Sequence, residues 1–321
     1  MEAETAIKPK LSVIVPAMQG YNTVLAALDS WEAQSCRDQL EVLVLCPDAE
    51  AAIPRAGQVL IETGSMRLHE ARAAGILRAS ADYVMVAEDH CLPDIGWAQV
   101  VLERLAEGWD AVGPALRSGN PARKVSQASF LLGYGQWMNP ESGGTVSVLP
   151  GHNAVLRKKV LLELGPALER ELLVAAFLLK RLHVAGQRFY LDAQATMRHF
   201  DKPGWKKEIR TFYCVGLGFG SIRTSHWSWA GRALYCLAAP AIAARHWWRA
   251  FTQYRRAGAR AGLNPLCLAA ASVLASVWAC GEAAGALAGV ERVTLLVSSS
   301  EIKPVSRSEV LSEARSLSRD V

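Results

Sequence analysis

Glu88, Asp89 and His90 are three metal-capable side chains in a row. They follow Tyr83-Val-Met-Val-Ala87, a run too short for a helix and nearly all apolar. Such a run suits a strand buried on both faces of a parallel sheet. Open α/β sheets bind their ligands beyond the carboxyl ends of the strands, which is where these three residues would sit. The competing reading is a polar loop whose charges are simply solvated. Pro93 breaks the strand, and Trp97 to Leu105 has the spacing of the next helix.

The elements that must position this triplet alternate along the first half of the chain. Leu11 to Val15 reads as a strand stopped by Pro16, and Leu40 to Leu45 as a second, ended by Cys46-Pro47-Asp48. Gln58 to Ile61 is a weaker third and Ala111 to Gly113 a further short one. Between them, Thr23 to Ala33 places Val24, Leu25, Leu28 and Trp31 on one helical side, and Arg67 to Ala79 is an Ala-rich helix. Strands separated by helices imply right-handed crossovers, hence an α/β fold with a mainly parallel sheet sandwiched by helices.

At 321 residues with 51% hydrophobic and 20% charged content, the chain can bury a large core and is not a disordered polymer. A net charge of +5 is too modest to indicate a nucleic-acid partner. The seven cysteines show no Cys-x-x-Cys pair and no zinc-ligand spacing, so they read as buried thiols in a reducing compartment. Residues 1–10 are a polar tail with no signal-peptide pattern.

In order and spacing, several short motifs together resemble the family-2-type glycosyltransferases of the GT-A fold, over roughly residues 10 to 200. They are Val13-Ile-Val-Pro16, Glu70-Ala-Arg72-Ala-Ala-Gly75, and Glu88-Asp89-His90 in the place of the family's Asp-x-Asp. Gly151-His152-Asn153 and Lys180-Arg-Leu-His-Val-Ala-Gly186 leading to Arg198-His199 continue the series.

The resemblance implies a metal-dependent, hexosyltransferase-like, inverting enzyme with a nucleotide-sugar donor. A divalent ion, Mn2+ or Mg2+, would neutralise the departing diphosphate. Both ions prefer oxygen ligands, and Mn2+ tolerates imidazole. Asp89 aligns best with the acidic motif as metal ligand, with Glu88 or His90 assisting, one of them through the ribose or a water. His199 is implied as a further ligand, against a plain hydrogen-bonding role at a strand end. Pro16 and Ala17 would line the nucleotide pocket through backbone groups. Arg72 would face the nucleotide, or else be a solvated helix arginine. Asp48 would contact base or ribose, or else only shape a turn after Pro47.

Arg117 to Pro150 is loop-rich and expected on the acceptor side, where Tyr134, Trp137 and Met138 form either a platform for a sugar or lipid or part of the packing. Gly151, His152 and Asn153 would border the acceptor pocket, the glycine allowing close backbone approach. A base must deprotonate the acceptor hydroxyl. The family's position for it falls here on Val174. Glu171 stands nearly one helical turn before, and Glu169 is the alternative; both also suit an exposed helix N-terminus.

The last third changes character. Residues 11–203 make the glycosyltransferase-like domain, 204–292 an amphipathic and apolar membrane-associated helical region, and 293–321 a polar tail. Ala230 to Ala244 and Leu263 to Val290 are apolar, and the Arg- and Trp-rich segment between them suits a membrane interface at the cytoplasmic face. The first stretch is too short to span, and the second is long enough but carries Glu282. The partners that the resemblance implies are a nucleotide sugar and a saccharide or lipid-linked acceptor of envelope polysaccharide, glycolipid or polyprenyl type; the last third adds membrane lipids, and no nucleic acid is expected. The alternative is a catalytically impaired, membrane-associated sugar-binding or scaffold relative, which Val174 favours.

Overall fold

The computed structural model describes residues 8–50, 52–201 and 204–317. Most of the expected N-terminal tail, residues 1–7, and the end of the C-terminal tail, 318–321, lie outside the described residues. The strands are β1 (Leu11–Pro16), β2 (Leu40–Cys46), β3 (Gln58–Glu62), β4 (Tyr83–Val86), β5 (Cys91–Pro93), β6 (Ala111–Ser118), β7 (Gly144–Val146), β8 (Val155–Arg157) and β9 (Phe189–His199). The helices are α1 (Leu25–Glu32), α2 (Leu68–Arg78), α3 (Trp97–Ala106), α4 (Lys124–Tyr134), α5 (Lys158–Leu162), α6 (Leu168–Glu171), α7 (Ala175–Val184), α8 (Trp205–Arg223), α9 (Trp229–Leu237), α10 (Ala239–Gln253), α11 (Cys267–Ala288), α12 (Val290–Ser300) and α13 (Arg307–Leu317). Contacts divide the chain into two units, residues 1–114 with 142–197, and residues 115–141 with 198–321.

The first unit carries the sheet, in the order β3-β2-β1-β4-β8-β6-β9-β5 with β7 on β9. β1 is buried along its whole length and β2 along nearly all of it, as runs with no polar alternation require. β1 pairs in parallel with β2 and β4, and β2 with β3. From β4 onward the pairing turns antiparallel, β4 with β8, β6 with β8 and β7 with β9. The sheet is thus mixed, with its parallel half at β1 to β4. Helix α2 covers that half closely because Gly75 has no side chain: a Cβ there would stand 2.7 Å from Ile14 and 3.2 Å from Leu45. Trp31 of α1 meets Trp97 at the start of α3 edge-to-face, with ring centroids 5.3 Å apart.

Some local expectations are corrected. The helix expected from Thr23 opens as a 3-10 turn, Tyr21–Val24, before α1. Pro93 closes the short strand β5 at the end of the sheet order, where its missing N–H breaks no ladder. Arg157 ends β8, and α5 starts at Lys158.

The second unit is helical. The segment read as loop-rich contains α4, whose Ser126, Gln127 and Ser129 are buried. A helix that buries its polar side chains shows no amphipathic stripe, which is why the pattern was not legible. The apolar stretch 230–244 is two helices, with Pro240 in the first turn of α10, where its lack of an N–H is harmless. The second stretch is α11, 22 residues long and half buried. It packs on α8 through Gly216, Gly220, Gly281 and Gly285; a Cβ at any of them would strike a backbone carbonyl of the other helix. Glu282 is fully buried here and is held by Arg223 at 2.9 Å, His246 at 3.0 Å and the Tyr235 hydroxyl.

Candidate functional site

Glu88, Asp89 and His90 lie between the carboxyl end of β4 and the start of β5, and all three are buried. Burial excludes the solvated-loop reading. Three carboxylate or imidazole groups are taken out of water only where something compensates their charge.

For Glu88 the compensation is Asn153. Its amide oxygen accepts from the Glu88 backbone N–H at 3.0 Å, and its amide nitrogen donates to Glu88 Oε2 at 2.7 Å. The sheet register brings the two together. β8 runs antiparallel to β4 with Met85 opposite Val155, and the Asn153 backbone N–H donates to Val86 O at 2.9 Å. Asn153 itself is fully buried with φ 64°, a left-handed conformation that asparagine tolerates better than most residues. The other Glu88 oxygen, Oε1, faces His152 Nδ1 at 3.7 Å. Asp89 Oδ1 lies 2.6 Å from His90 Nδ1, a contact that orients the ring.

Gly151 keeps the close approach expected of it. A Cβ there would stand 3.2 Å from the Ala176 backbone nitrogen, at the start of α7. Gly151, His152 and Asn153 therefore join the β4 end to α7, and Asn153 acts on Glu88.

The donor-side residues gather at the neighbouring strand ends. Pro16 and Ala17 are buried at the end of β1, and the Ala17 N–H donates to Leu45 O at 2.7 Å. Gln19 to Thr23, Pro47 and Asp48 line a cleft of about 340 Å3 there. Asp48 is exposed and its carboxylate accepts from the Glu50 N–H at 3.0 Å, so it shapes the turn and lines the cleft at once. Arg72 is 2% exposed, which rules out the solvated helix arginine.

On the base side, α6 and α7 are not one helix. A 3-10 turn, Leu172–Val174, separates them, and Val174 has φ −138° and ψ 84°. A 3-10 turn has three residues to the turn, so Glu171 still stands one turn before Val174, and the chain leaves the helix only at Val174 itself. Its carboxylate pairs with Arg181 at 2.7 Å. Glu169 is exposed on α6.

In the second unit, His199 ends β9 with 1% exposure, its Nδ1 3.4 Å from Asp201 Oδ2 and its ring centroid 4.2 Å from that of Tyr134. Ser129 of α4 bonds Asp201 Oδ1 at 2.7 Å and Glu208 Oε2 at 2.8 Å. Burial pushes Glu208 up to about 7. Asp201 is also desolvated, yet the charges of His199 and Lys303 and the Ser129 hydroxyl hold it below the usual range. The sequence reading passed over this acid pair, although an aspartate two residues beyond a strand-end histidine was visible. Trp137 and Met138 are buried, so they pack; Trp137 lies 6.1 Å from Tyr134, centroid to centroid. Within the first unit, Glu88 and His90 are both buried and each offers one atom suited to a metal ion.

Residues 49–165 match the description of the glycosyl transferase family 2. The matched stretch holds Arg72, the Glu88 triplet and Gly151 to Asn153, and ends before Glu169, Glu171 and His199. No curated protein matches the chain. Among solved structures, the chain is similar to GalNAc-T7 crystallised with UDP, GalNAc and Mn2+, at 11% identity and a TM-score of 0.46, over 63% of this chain and 46% of that one. It is also similar to S. aureus TarS, at 15% identity and a TM-score of 0.46, over 65% of this chain and 39% of that one. The chain thus spans less than half the length of either.

Proposed function

We propose that this chain, whose residues 49–165 carry the family-2 glycosyl transferase match, moves a sugar from a nucleotide-sugar donor to a saccharide or lipid-linked acceptor. The observation that carries the reading is the buried Glu88-Asp89-His90 triplet at the end of β4, inside the matched stretch, with Glu88 clamped by Asn153.

The donor set supports a divalent cation. A carboxylate from Glu88 with the imidazole of His90 mixes oxygen and nitrogen, which suits Mn2+ better than Mg2+, and the family resemblance assigns His199 to the same ion. When bound, the ion supplies positive charge against the leaving diphosphate. Asp89 orients the His90 ring and brings a further carboxylate. The cleft beside Asp48 is assigned to the nucleoside, and Pro16, Ala17 and Arg72 are assigned to the donor side with it. Gly151 and His152 are assigned to the acceptor border. Trp137 is kept out of that border because it is buried.

Glu171 is assigned as the base that takes the proton of the acceptor hydroxyl, giving inversion at the sugar carbon, with Glu169 as its alternative. Arg181 holds its carboxylate in one orientation. Valine at position 174 favours the second reading, a binding relative without turnover. The membrane assignment, at the cytoplasmic face, rests on the exposed Trp229, Leu234, Leu237 and Trp248 of α9 and α10. Release of nucleoside diphosphate from a panel of nucleotide sugars, with and without Mn2+, tests the enzyme reading. Metal-dependent release is expected, and binding of a nucleotide sugar without release by any acceptor or water would favour the second.

A further inference from the structure

The second unit holds a groove that the sugar-transfer site leaves unused. It runs between α8 and α11 as an open groove of about 610 Å3. The two helices run parallel there, since Gly281 meets Tyr213 and Gly285 meets Leu217. The walls are apolar and open to solvent: Ile209 and Tyr213 are each 39% exposed and Val273 is 46% exposed, with Val277 between them. Large apolar side chains left facing water along one channel mark a binding surface.

The charge is not spread along the groove. Lys206 and Arg210 line it from the first turns of α8, one helical turn apart and on one face. Two neighbouring cations at one end of an apolar channel complement an amphiphile with an anionic head. A guanidinium beside an ammonium matches a phosphate in particular. Glu208, two residues past Lys206, points to the opposite, buried side of α8, where it is joined through Ser129 to Asp201 beside His199.

We propose that this groove binds a long-chain lipid monophosphate, its hydrocarbon chain along Ile209, Tyr213, Val273 and Val277 and its phosphate on Lys206 and Arg210. The inference rests on the sugar-transfer reading and narrows its acceptor class to a lipid carrying a phosphate. The paired cations at one end favour a single anionic amphiphile over a bilayer surface, which the vesicle arm of the experiment below tests.

The protein supplies its own probe. Cys280 lines the groove at its apolar end and is the exposed cysteine among the described residues; Cys36, Cys46, Cys91, Cys214 and Cys267 are buried and Cys236 is half-buried. The experiment measures the rate at which a maleimide alkylates Cys280 in the full chain, read by mass spectrometry of the peptide. Farnesyl phosphate should slow the reaction about tenfold at saturation, and Lys206→Ala with Arg210→Ala should raise the concentration needed by about tenfold, as expected for losing charge-assisted contacts. Equal protection by farnesol, or protection by inorganic phosphate alone, would overturn the proposal. So would protection by phosphatidylcholine vesicles with none by farnesyl phosphate, which would make the groove a membrane-facing surface. No nucleotide sugar is present, so a negative result here leaves the transferase reading to its own assay.

Discussion

Removing Asn153 should unfasten Glu88, and the size of the effect follows from the two bonds. Asn153→Gly deletes both without changing the backbone's freedom to hold φ 64°. One loss strands the buried Glu88 N–H and the other strips a donor from a buried carboxylate. Each costs about 1–3 kcal/mol, so the sum is about 2–6 kcal/mol. Asn153→Ala should cost about 1 kcal/mol more, because a Cβ disfavours the left-handed region that glycine visits freely. Urea unfolding of the first unit's signal gives the stability differences. Calorimetric titration with Mn2+ gives the second readout: if Glu88 is a ligand, losing the group that orients it should weaken binding about 10–100-fold. A glycine variant within about 1 kcal/mol of the native chain and with unchanged Mn2+ affinity would refute the reasoning, since a buried two-point clamp cannot be free to remove.

Three further outcomes are expected. Glu171→Gln should lower turnover by about 10²-fold or more with donor binding intact, as for a proton-transfer group, and Glu169→Gln should not; the reverse result would exchange their roles. Glu208 binds its proton more tightly in the folded chain, about 7 against 4.5, so its stabilising contribution is full below pH 4.5 and is lost as pH rises through 7. Relative to Glu208→Gln, the native chain should therefore lose about 3 kcal/mol between pH 4.5 and 8, with Asp201, His199 and Lys303 facing the same cluster; a pH-independent difference would show that Glu208 is not desolvated. Gly220→Ala forces a Cβ into the Glu282 carbonyl and should destabilise the second unit by about 1–3 kcal/mol or more in thermal unfolding, whereas an unchanged midpoint would mean that α8 and α11 do not cross at glycine.

What was legible in the sequence was what local patterning controls. The runs at Leu11, Leu40 and Tyr83 carry no polar alternation because both faces of those strands are covered, so they announce themselves as buried strands. The triplet after Ala87 and the Ala-rich helix before it followed from the same logic. The partner of Glu88 did not, because Asn153 is 65 residues away and reaches it only through the antiparallel register of β8 on β4. The break at Val174 was not legible either: Glu171 keeps its spacing of one turn through a 3-10 turn, but α7 starts afresh after Val174 and not as a continuation of α6. Helix α4 was hidden for the opposite reason: its serines and glutamine are buried against partners from the following segments. Glu208, in a Lys-Lys-Glu run, has the composition of a solvated face, and only the packing of α8 takes it out of water.

The central claim is that the end of β4 handles the diphosphate of a nucleotide sugar with a divalent ion. Calorimetric titration of a nucleoside diphosphate in the presence of Mn2+, on the native chain and on Asp89→Asn, tests it most directly. The account predicts saturable, Mn2+-dependent binding that weakens about tenfold or more when the Asp89 charge is removed, with the unfolding midpoint little changed. Binding that is the same in both proteins, or the same without Mn2+, would contradict it.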